Sequence, residues 1–262
     1  GFQCTGICTG YEPRAPVDIS TRGANGPCAD NACACYSLGM KPVATIRTPF
    51  REKFGIPRQP GLISSATGTV ELLPPFNCPD VFSGLEGFSH VWLIWLFHAV
   101  PAGQWKPLVR PPRLGGNRKV GVFASRSPFR PNSIGLSAVR LERVHETRLD
   151  VSGVDLLDGT PILDIKPYIP YSDALVDAKD GFAAGPPAAR LQVAISRQAE
   201  EQLLVRPDGE RLRELIIACI ETDPRPAYRN GEAGEYGFRL ENFDLRWRVS
   251  GTQATVLELR EP

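Results

Sequence analysis

Between Met40 and Phe182 the chain offers short apolar runs separated by Gly/Pro turns, and no run between them is long and periodic enough to serve as a crossover helix. Parallel strands need such crossovers, so this spacing excludes a βαβ sheet and predicts an antiparallel barrel or sandwich. The runs lie at residues 43–47, 68–73, 91–98, 120–124, 137–144, 149–154 and 162–165. Residues 148–152 alternate polar and apolar side chains, the period-two mark of a half-buried strand. Residues 91–98 (Val-Trp-Leu-Ile-Trp-Leu-Phe-His) are apolar on both faces, which suits a central strand or a barrel wall. With 25 Gly and 25 Pro in 262 residues, turns are abundant and long helices few.

The pattern changes after the Gly/Pro/Ala-rich stretch at 181–189. Residues 191–195 read as one more strand, and 197–204 and 210–220 as helices. The second helix carries Leu212, Leu215, Ile216, Cys219 and Ile220 near one face. Asp223-Pro224 stops it. Residues 238–249 alternate, Ser250-Gly251 turns, and 254–259 alternate again, which reads as a hairpin. The expected organisation is therefore a small β-barrel domain at 40–186 followed by a small α+β domain at 187–262.

Residues 1–39 lack any hydrophobic period and are set aside as a disordered or non-native extension, with Met40 read as a start. They hold five of the seven cysteines, at Cys4, Cys8, Cys28, Cys33 and Cys35. That spacing matches no structural zinc pattern, and no metal is expected. Cys78 and Cys219 read as incidental or structural. The sparse cysteines of the body suit a reducing, cytoplasmic location. No apolar run approaches the roughly 20 residues that span a bilayer.

The net charge of +1 names no partner, but the charge is unevenly placed. Between Glu86 and Glu142 lie 55 residues without an acid, where a density of 29 acids in 262 residues would put about six. The same stretch holds Lys106, Arg110, Arg113, Arg118, Lys119, Arg126, Arg130 and Arg140, with Trp105, Phe123 and Phe129 among them. Basic loops interleaved with aromatic rings suit a phosphate-tracking surface; a solvated basic face is the plain alternative. Within the stretch, Ser125-Arg126-Ser127-Pro128-Phe129-Arg130-Pro131-Asn132-Ser133 sets two arginines between prolines, as fixed recognition of a carboxylate or phosphate requires.

This block, together with Lys53-Phe54-Gly55-Ile56-Pro57-Arg58-Gln59-Pro60-Gly61-Leu62, Leu85-Glu86-Gly87-Phe88-Ser89-His90, Asp155-Leu156-Leu157-Asp158-Gly159-Thr160-Pro161-Ile162-Leu163-Asp164-Ile165-Lys166-Pro167-Tyr168 and Asp223-Pro224-Arg225-Pro226-Ala227-Tyr228, closely resembles the TrmO (TsaA-like) tRNA methyltransferases. The resemblance implies an S-adenosylmethionine-dependent enzyme on a non-Rossmann β-barrel. Its implied substrate is N6 of N6-threonylcarbamoyladenosine at position 37, in a tRNA anticodon stem-loop, and its implied assembly is a homodimer. The absence of a G-x-G-x-x-G after a strand agrees.

The resemblance places the donor against Gln59, Pro60, Gly61 and Leu62, against His98 and Ala99, against Arg126 and Leu136, and beside Gly153, Val154 and Asp155. Asp223 and Tyr228 are its candidates to help remove the acceptor proton, with Arg225 gripping a phosphate or the threonyl carboxylate. Without the resemblance, Asp223-Pro224 is a helix stop. Lys106, Arg110, Arg113, Arg118, Lys119 and Arg130 form the expected RNA-binding set. His90 reads as a packing residue, and Trp92 and Trp95 as core. Trp105 could stack on a base or pack at a barrel rim. Asp158-Gly159 reads as a hairpin turn and Asp164 as the partner of a nearby cation. Two rivals remain: a hydrolase using Ser125 or Ser127 with His98 and Asp164, and a non-catalytic RNA-binding or small-molecule-methylating protein.

Overall fold

The structure is a computed structural model that describes residues 39–101, 103–185, 191–225 and 232–261. The leading segment with its cysteines and Tyr228 lie outside the described residues. Strands β1 (Ala44–Arg47), β2 (Thr67–Leu72), β3 (His90–Leu96), β6 (Ile134–Val144), β7 (Arg148–Ser152) and β8 (Thr160–Pro167) close into an antiparallel barrel in the order β1-β2-β7-β6-β3-β8. Between β3 and β6, strands β4 (Leu108–Val109) and β5 (Val120–Gly121) pair as a small ribbon. A single turn, α1 (Pro170–Asp173), follows the barrel.

Alternation decides which side chains fill the barrel. Along β3, Val91, Leu93 and Trp95 are buried while Trp92 and Ile94 lie on the outer side, so the run that is apolar on both faces is a barrel wall. Its neighbours are β6 and β8. Trp95 pairs across with Gly135, and a Cβ built on that glycine would stand 2.3 Å from the indole. Only a residue without a side chain lets the ring lie flat on β6. Trp92 is half-buried rather than core, and its Nε1 donates to the Asp173 carboxylate (2.9 Å).

The C-terminal part is α+β, as expected. Strand β9 (Gln192–Ile195) precedes α2 (Arg197–Leu204) and α3 (Gly209–Glu221). Ser196 caps α2, its hydroxyl accepting from the Ala199 amide (3.1 Å). Three further strands, β10 (Gly234–Leu240), β11 (Phe243–Ser250) and β12 (Gln253–Arg260), form a meander, and β12 pairs in parallel with β9. Leu212, Leu215, Ile216, Cys219 and Ile220 are buried. Burial pushes the Cys219 thiol up to about 12, which makes it inert.

Three local expectations need correction. Residues 120–124 are not one strand: β5 stops at Gly121 and a 3-10 turn takes Val122–Ala124. Residues 238–249 are two strands, because Glu241 takes a left-handed φ of 51° and turns the chain between Leu240 and Phe243. Asp158-Gly159 is a turn, with the Thr160 amide donating to the Leu157 carbonyl (3.2 Å), but not a hairpin, since β7 and β8 are not neighbours. Asp164 does pair with a cation, Lys166 (2.9 Å).

The segment leaving β1 joins barrel and sheet. Phe50 bridges to Leu240, the Glu241 amide donates to the Pro49 carbonyl (2.6 Å), and Phe54 meets Phe238 edge-on with ring centres 5.8 Å apart. This strap then runs on to the rim of the barrel.

Candidate functional site

At the rim near the C-terminal end of β3 lies a cavity of about 610 Å³. Its wall comes from separate stretches of chain. The strap supplies Lys53, Ile56, Pro57, Arg58 and Gln59; the end of β3 supplies Trp95, Phe97, His98 and Ala99; the basic loop supplies Ser125, Arg126, Phe129 and Arg130; β6 supplies Leu136; and the β7–β8 connection supplies Asp155. Of the residues assigned to the donor, Gln59, His98, Ala99, Arg126, Leu136 and Asp155 line this one cavity. Pro60, Gly61, Leu62, Gly153 and Val154 are not among the lining residues. The Gly61 amide donates to the Gly153 carbonyl (2.8 Å), and Val154 is fully buried, its amide bonded to the Ala66 carbonyl (3.1 Å).

The polar groups of the wall are held by one another. An Arg126 Nη1 donates to the Gln59 side-chain oxygen, and Lys53 Nζ donates to the Ala99 carbonyl (2.6 Å). Trp95 Nε1 donates to the Ser137 hydroxyl (3.0 Å), which in turn donates to the Asp155 carboxylate (2.6 Å). Burial pushes the Asp155 carboxyl up to about 6, although the Ser137 hydrogen bond and the Arg126 charge oppose it. Burial likewise lowers the pKa of His98, which keeps the ring neutral near pH 7. The cavity thus has a cationic side, an ionisable carboxylate and aromatic rings. The sequence reading missed Lys53, Trp95, Phe97 and the Ser137 relay, because strand alternation marks Trp95 as core and says nothing of its edge reaching a cavity.

The comparisons with known proteins decide the family. Residues 45–174 match the tRNA-methyltransferase O N-terminal domain and residues 188–262 match the TrmO C-terminal domain. The chain belongs to the tRNA-methyltransferase O family. It is 53% identical to a putative S-adenosylmethionine-dependent methyltransferase, RcsF, of Pseudomonas aeruginosa, over 79% of this chain and 91% of that one. It is 45% identical to the tRNA (adenine(37)-N6)-methyltransferase of Escherichia coli K12, over 86% of this chain and 99% of that one. The crystal structure of TrmO from Pseudomonas aeruginosa aligns with a TM-score of 0.69 at 44% identity, covering 84% of this chain and 98% of that one.

The described part of the DPRxxY element, Asp223 to Arg225, is turned inward. Asp223 has a left-handed φ of 52°, and both side chains are buried, Arg225 to 2% exposure and Asp223 to 3%. They form a two-pronged ion pair, Nε to Oδ1 at 2.8 Å and Nη2 to Oδ2 at 2.9 Å. Arg225 Nη1 also donates to the Glu232 carbonyl (2.8 Å), and the guanidinium lies over the Tyr236 ring (5.6 Å). All three guanidinium nitrogens of Arg225 and both carboxylate oxygens of Asp223 are thus engaged within the chain. Arg58, on the cavity wall, reaches the carbonyls of Asp223 (3.5 Å) and Arg225 (3.4 Å), so the element buttresses the wall.

The basic set divides as well. Arg110, Arg118 and Lys119 are exposed, and Lys106 stands over the Phe129 ring (4.5 Å). Arg113 donates to the Ala184 carbonyl (3.3 Å) and to that of Gly185. Arg130 donates to the carbonyls of Val122 (3.1 Å) and Ser125 (2.7 Å). These two arginines hold loops in place. The hydrolase constellation is not assembled: the Ser125 hydroxyl donates to the Val122 carbonyl (2.9 Å), the Ser127 hydroxyl accepts from the Phe129 amide (3.3 Å), and Asp164 pairs with Lys166.

Proposed function

We propose that the rim cavity binds S-adenosylmethionine and that the chain, like its named relatives, methylates N6 of a tRNA adenosine, here N6-threonylcarbamoyladenosine at position 37. The observation that carries this reading is the convergence of Gln59, His98, Ala99, Arg126, Leu136 and Asp155 on one cavity. The donor fits the lining. The volume of about 610 Å³ is in the range of small-molecule sites. Arg126 and Lys53 suit the methionyl carboxylate, Asp155 the ammonium or sulfonium charge, and the rings of Trp95, Phe97 and Phe129 the adenine.

When bound, the coenzyme supplies a methyl group on a good leaving group, so the task of the chain is placement. Trp95 and Ser137 fix the Asp155 carboxylate, and Gln59 fixes Arg126, before any ligand arrives. The acceptor nitrogen is urea-like and must lose a proton. His98, neutral near pH 7, and Asp155, ionised above about pH 6, are the groups on this wall able to take it. Asp223 and Arg225 act one layer back, by shaping the wall through Arg58.

In this reading residues 40–186 bind the donor, 187–262 support the cavity and meet the tRNA, and the protein works in the cytoplasm. A homodimer with the donor cavity near its interface is part of it, and the Leu136 side chain on the cavity rim, 51% exposed, would be covered there. Among the described residues no helix is long and apolar enough to cross a membrane.

Isothermal titration with S-adenosylmethionine and S-adenosylhomocysteine tests the site, and mass spectrometry of tRNA nucleosides after incubation with the donor tests the reaction. Heat on titration and methylated N6-threonylcarbamoyladenosine are the expected results. Absence of donor binding overturns the reading. Donor binding without tRNA methylation turns it toward a small-molecule acceptor.

A further inference from the structure

Phe123 is 76% exposed, although it stands on one of the most firmly tied turns of the basic loop. Val122 beneath it is 2% exposed, and its carbonyl accepts from both the Ser125 hydroxyl and Arg130 Nη1. The same Nη1 also holds the Ser125 carbonyl, and the Arg130 guanidinium lies 5.4 Å from the centre of the Phe123 ring. The Val122 amide donates to the Pro107 carbonyl (3.0 Å), so the turn is sewn to the β4–β5 ribbon. Two more bare apolar side chains lie on and just before that ribbon, Leu108 of β4 and Trp105, each 52% exposed.

An aromatic ring left in water costs hydrophobic free energy, and a rigid backbone beneath it removes the freedom to fold the ring away. Such a ring is preorganised for a flat partner. The surroundings select that partner. The ring lies in the 55-residue stretch without acids, with Lys106, Arg110, Arg118 and Lys119 on the neighbouring loops, so the partner carries negative charge. Ser125, Arg126, Phe129 and Arg130 of the same loop line the cavity, so the partner lies next to the reacting group. A flat apolar face between phosphates is an unstacked nucleobase, and loops of RNA present them.

We infer that Phe123 is a stacking platform for an unpaired nucleobase beside the target adenosine, with Trp105 as a second ring along the same path. This rests on the reading of the chain as a tRNA-acting enzyme. The guanidinium of Arg130 backs one face of the ring, and the other face takes the base.

The test is a binding titration of a fluorescent anticodon stem-loop RNA against wild type, Phe123→Ala, Phe123→Leu, Phe123→Tyr and Trp105→Ala, with donor affinity and sedimentation measured on each. Phe123→Ala is expected to weaken RNA binding roughly ten- to a hundred-fold. Phe123→Leu recovers little of that loss, Phe123→Tyr recovers most of it, and Trp105→Ala gives a smaller loss. Donor affinity stays unchanged throughout. RNA affinity equal to wild type in Phe123→Ala, or full recovery with leucine, overturns the platform. A shift in sedimentation with RNA affinity intact makes the patch a contact between protein chains and overturns it too. A wild-type protein that binds donor but no RNA removes the tRNA reading and this inference together, whereas a defect confined to the Phe123 variants leaves that reading standing.

Discussion

The ring of Phe238 occupies the space that any side chain at position 55 would need: a Cβ on Gly55 would come within 2.8 Å of two ring carbons, and the glycine φ is 90°. Phe238 belongs to the C-terminal sheet, and Gly55 to the strap whose next residues, Ile56 to Gln59, line the cavity. Gly55→Ala therefore pushes the strap off the sheet and moves the cavity wall. The expected outcome is a donor Kd raised about ten-fold by calorimetry, with the KM for tRNA little changed, since misplacement of a wall by about 1 Å is enough for losses of that size. Phe54→Ala, which removes the edge-on contact without backbone strain, acts in the same direction with smaller effect.

Arg225→Ala leaves the Asp223 carboxylate buried without its guanidinium. The expected cost is about 3–5 kcal/mol of stability, read as a lowered denaturation midpoint, because breaking one side of a buried pair strands the other charge. Replacing Asp223 by Asn is milder but in the same direction. If either variant keeps wild-type stability and loses only turnover, the pair has a direct chemical role after all.

Asp155 titrates near pH 6 in the folded chain and near the ordinary 3.8 when unfolded. The folded state therefore holds more protons between those values, and stability falls as pH rises through that window. Asp155→Asn flattens this dependence. Donor binding runs the other way: the cationic coenzyme favours the carboxylate, so affinity rises between about pH 5 and pH 7 in wild type and stays flat in the variant. Calorimetry across that range checks both curves.

Arg126→Ala removes the cation that Gln59 orients on the cavity wall. Donor affinity is expected to fall more than tRNA affinity, and comparable losses of both would mean that the guanidinium meets RNA instead. Lys119→Ala and Lys106→Ala are the converse: each lowers tRNA affinity and reduces the salt slope by about one, with donor binding intact.

Much of the fold was legible because alternation and turn residues act locally. The β-barrel strands and both C-terminal helices fall close to where the period and the turn residues put them. What was not legible depended on partners far along the chain. Across residues 238–249 the apolar phase shifts by one at Glu241-Asn242, from Phe238 and Leu240 to Phe243 and Leu245, and the turn there is easily passed over because Glu241 adopts the left-handed form without a glycine to announce it. The DPR element shows the same limit for the site. Charge and family motif mark Asp223 and Arg225 as reactive, and only their burial against Glu232 and Tyr236 shows them facing each other. Arg113 and Arg130 likewise look like phosphate ligands until the carbonyls they hold come into view.

Closure of the barrel through β1, which pairs with β2 on one side and β8 on the other, leaves that sheet no open border to template a foreign strand. The borders that remain in the C-terminal sheet are β10 and β9. Along β10 the exposed positions are Glu235, Gly237 and Arg239, and such a charged margin discourages edge-to-edge pairing. If the bare rings Phe123 and Trp105 are a nucleic-acid surface as inferred, these charged margins keep the sheet edges from competing with it for contacts.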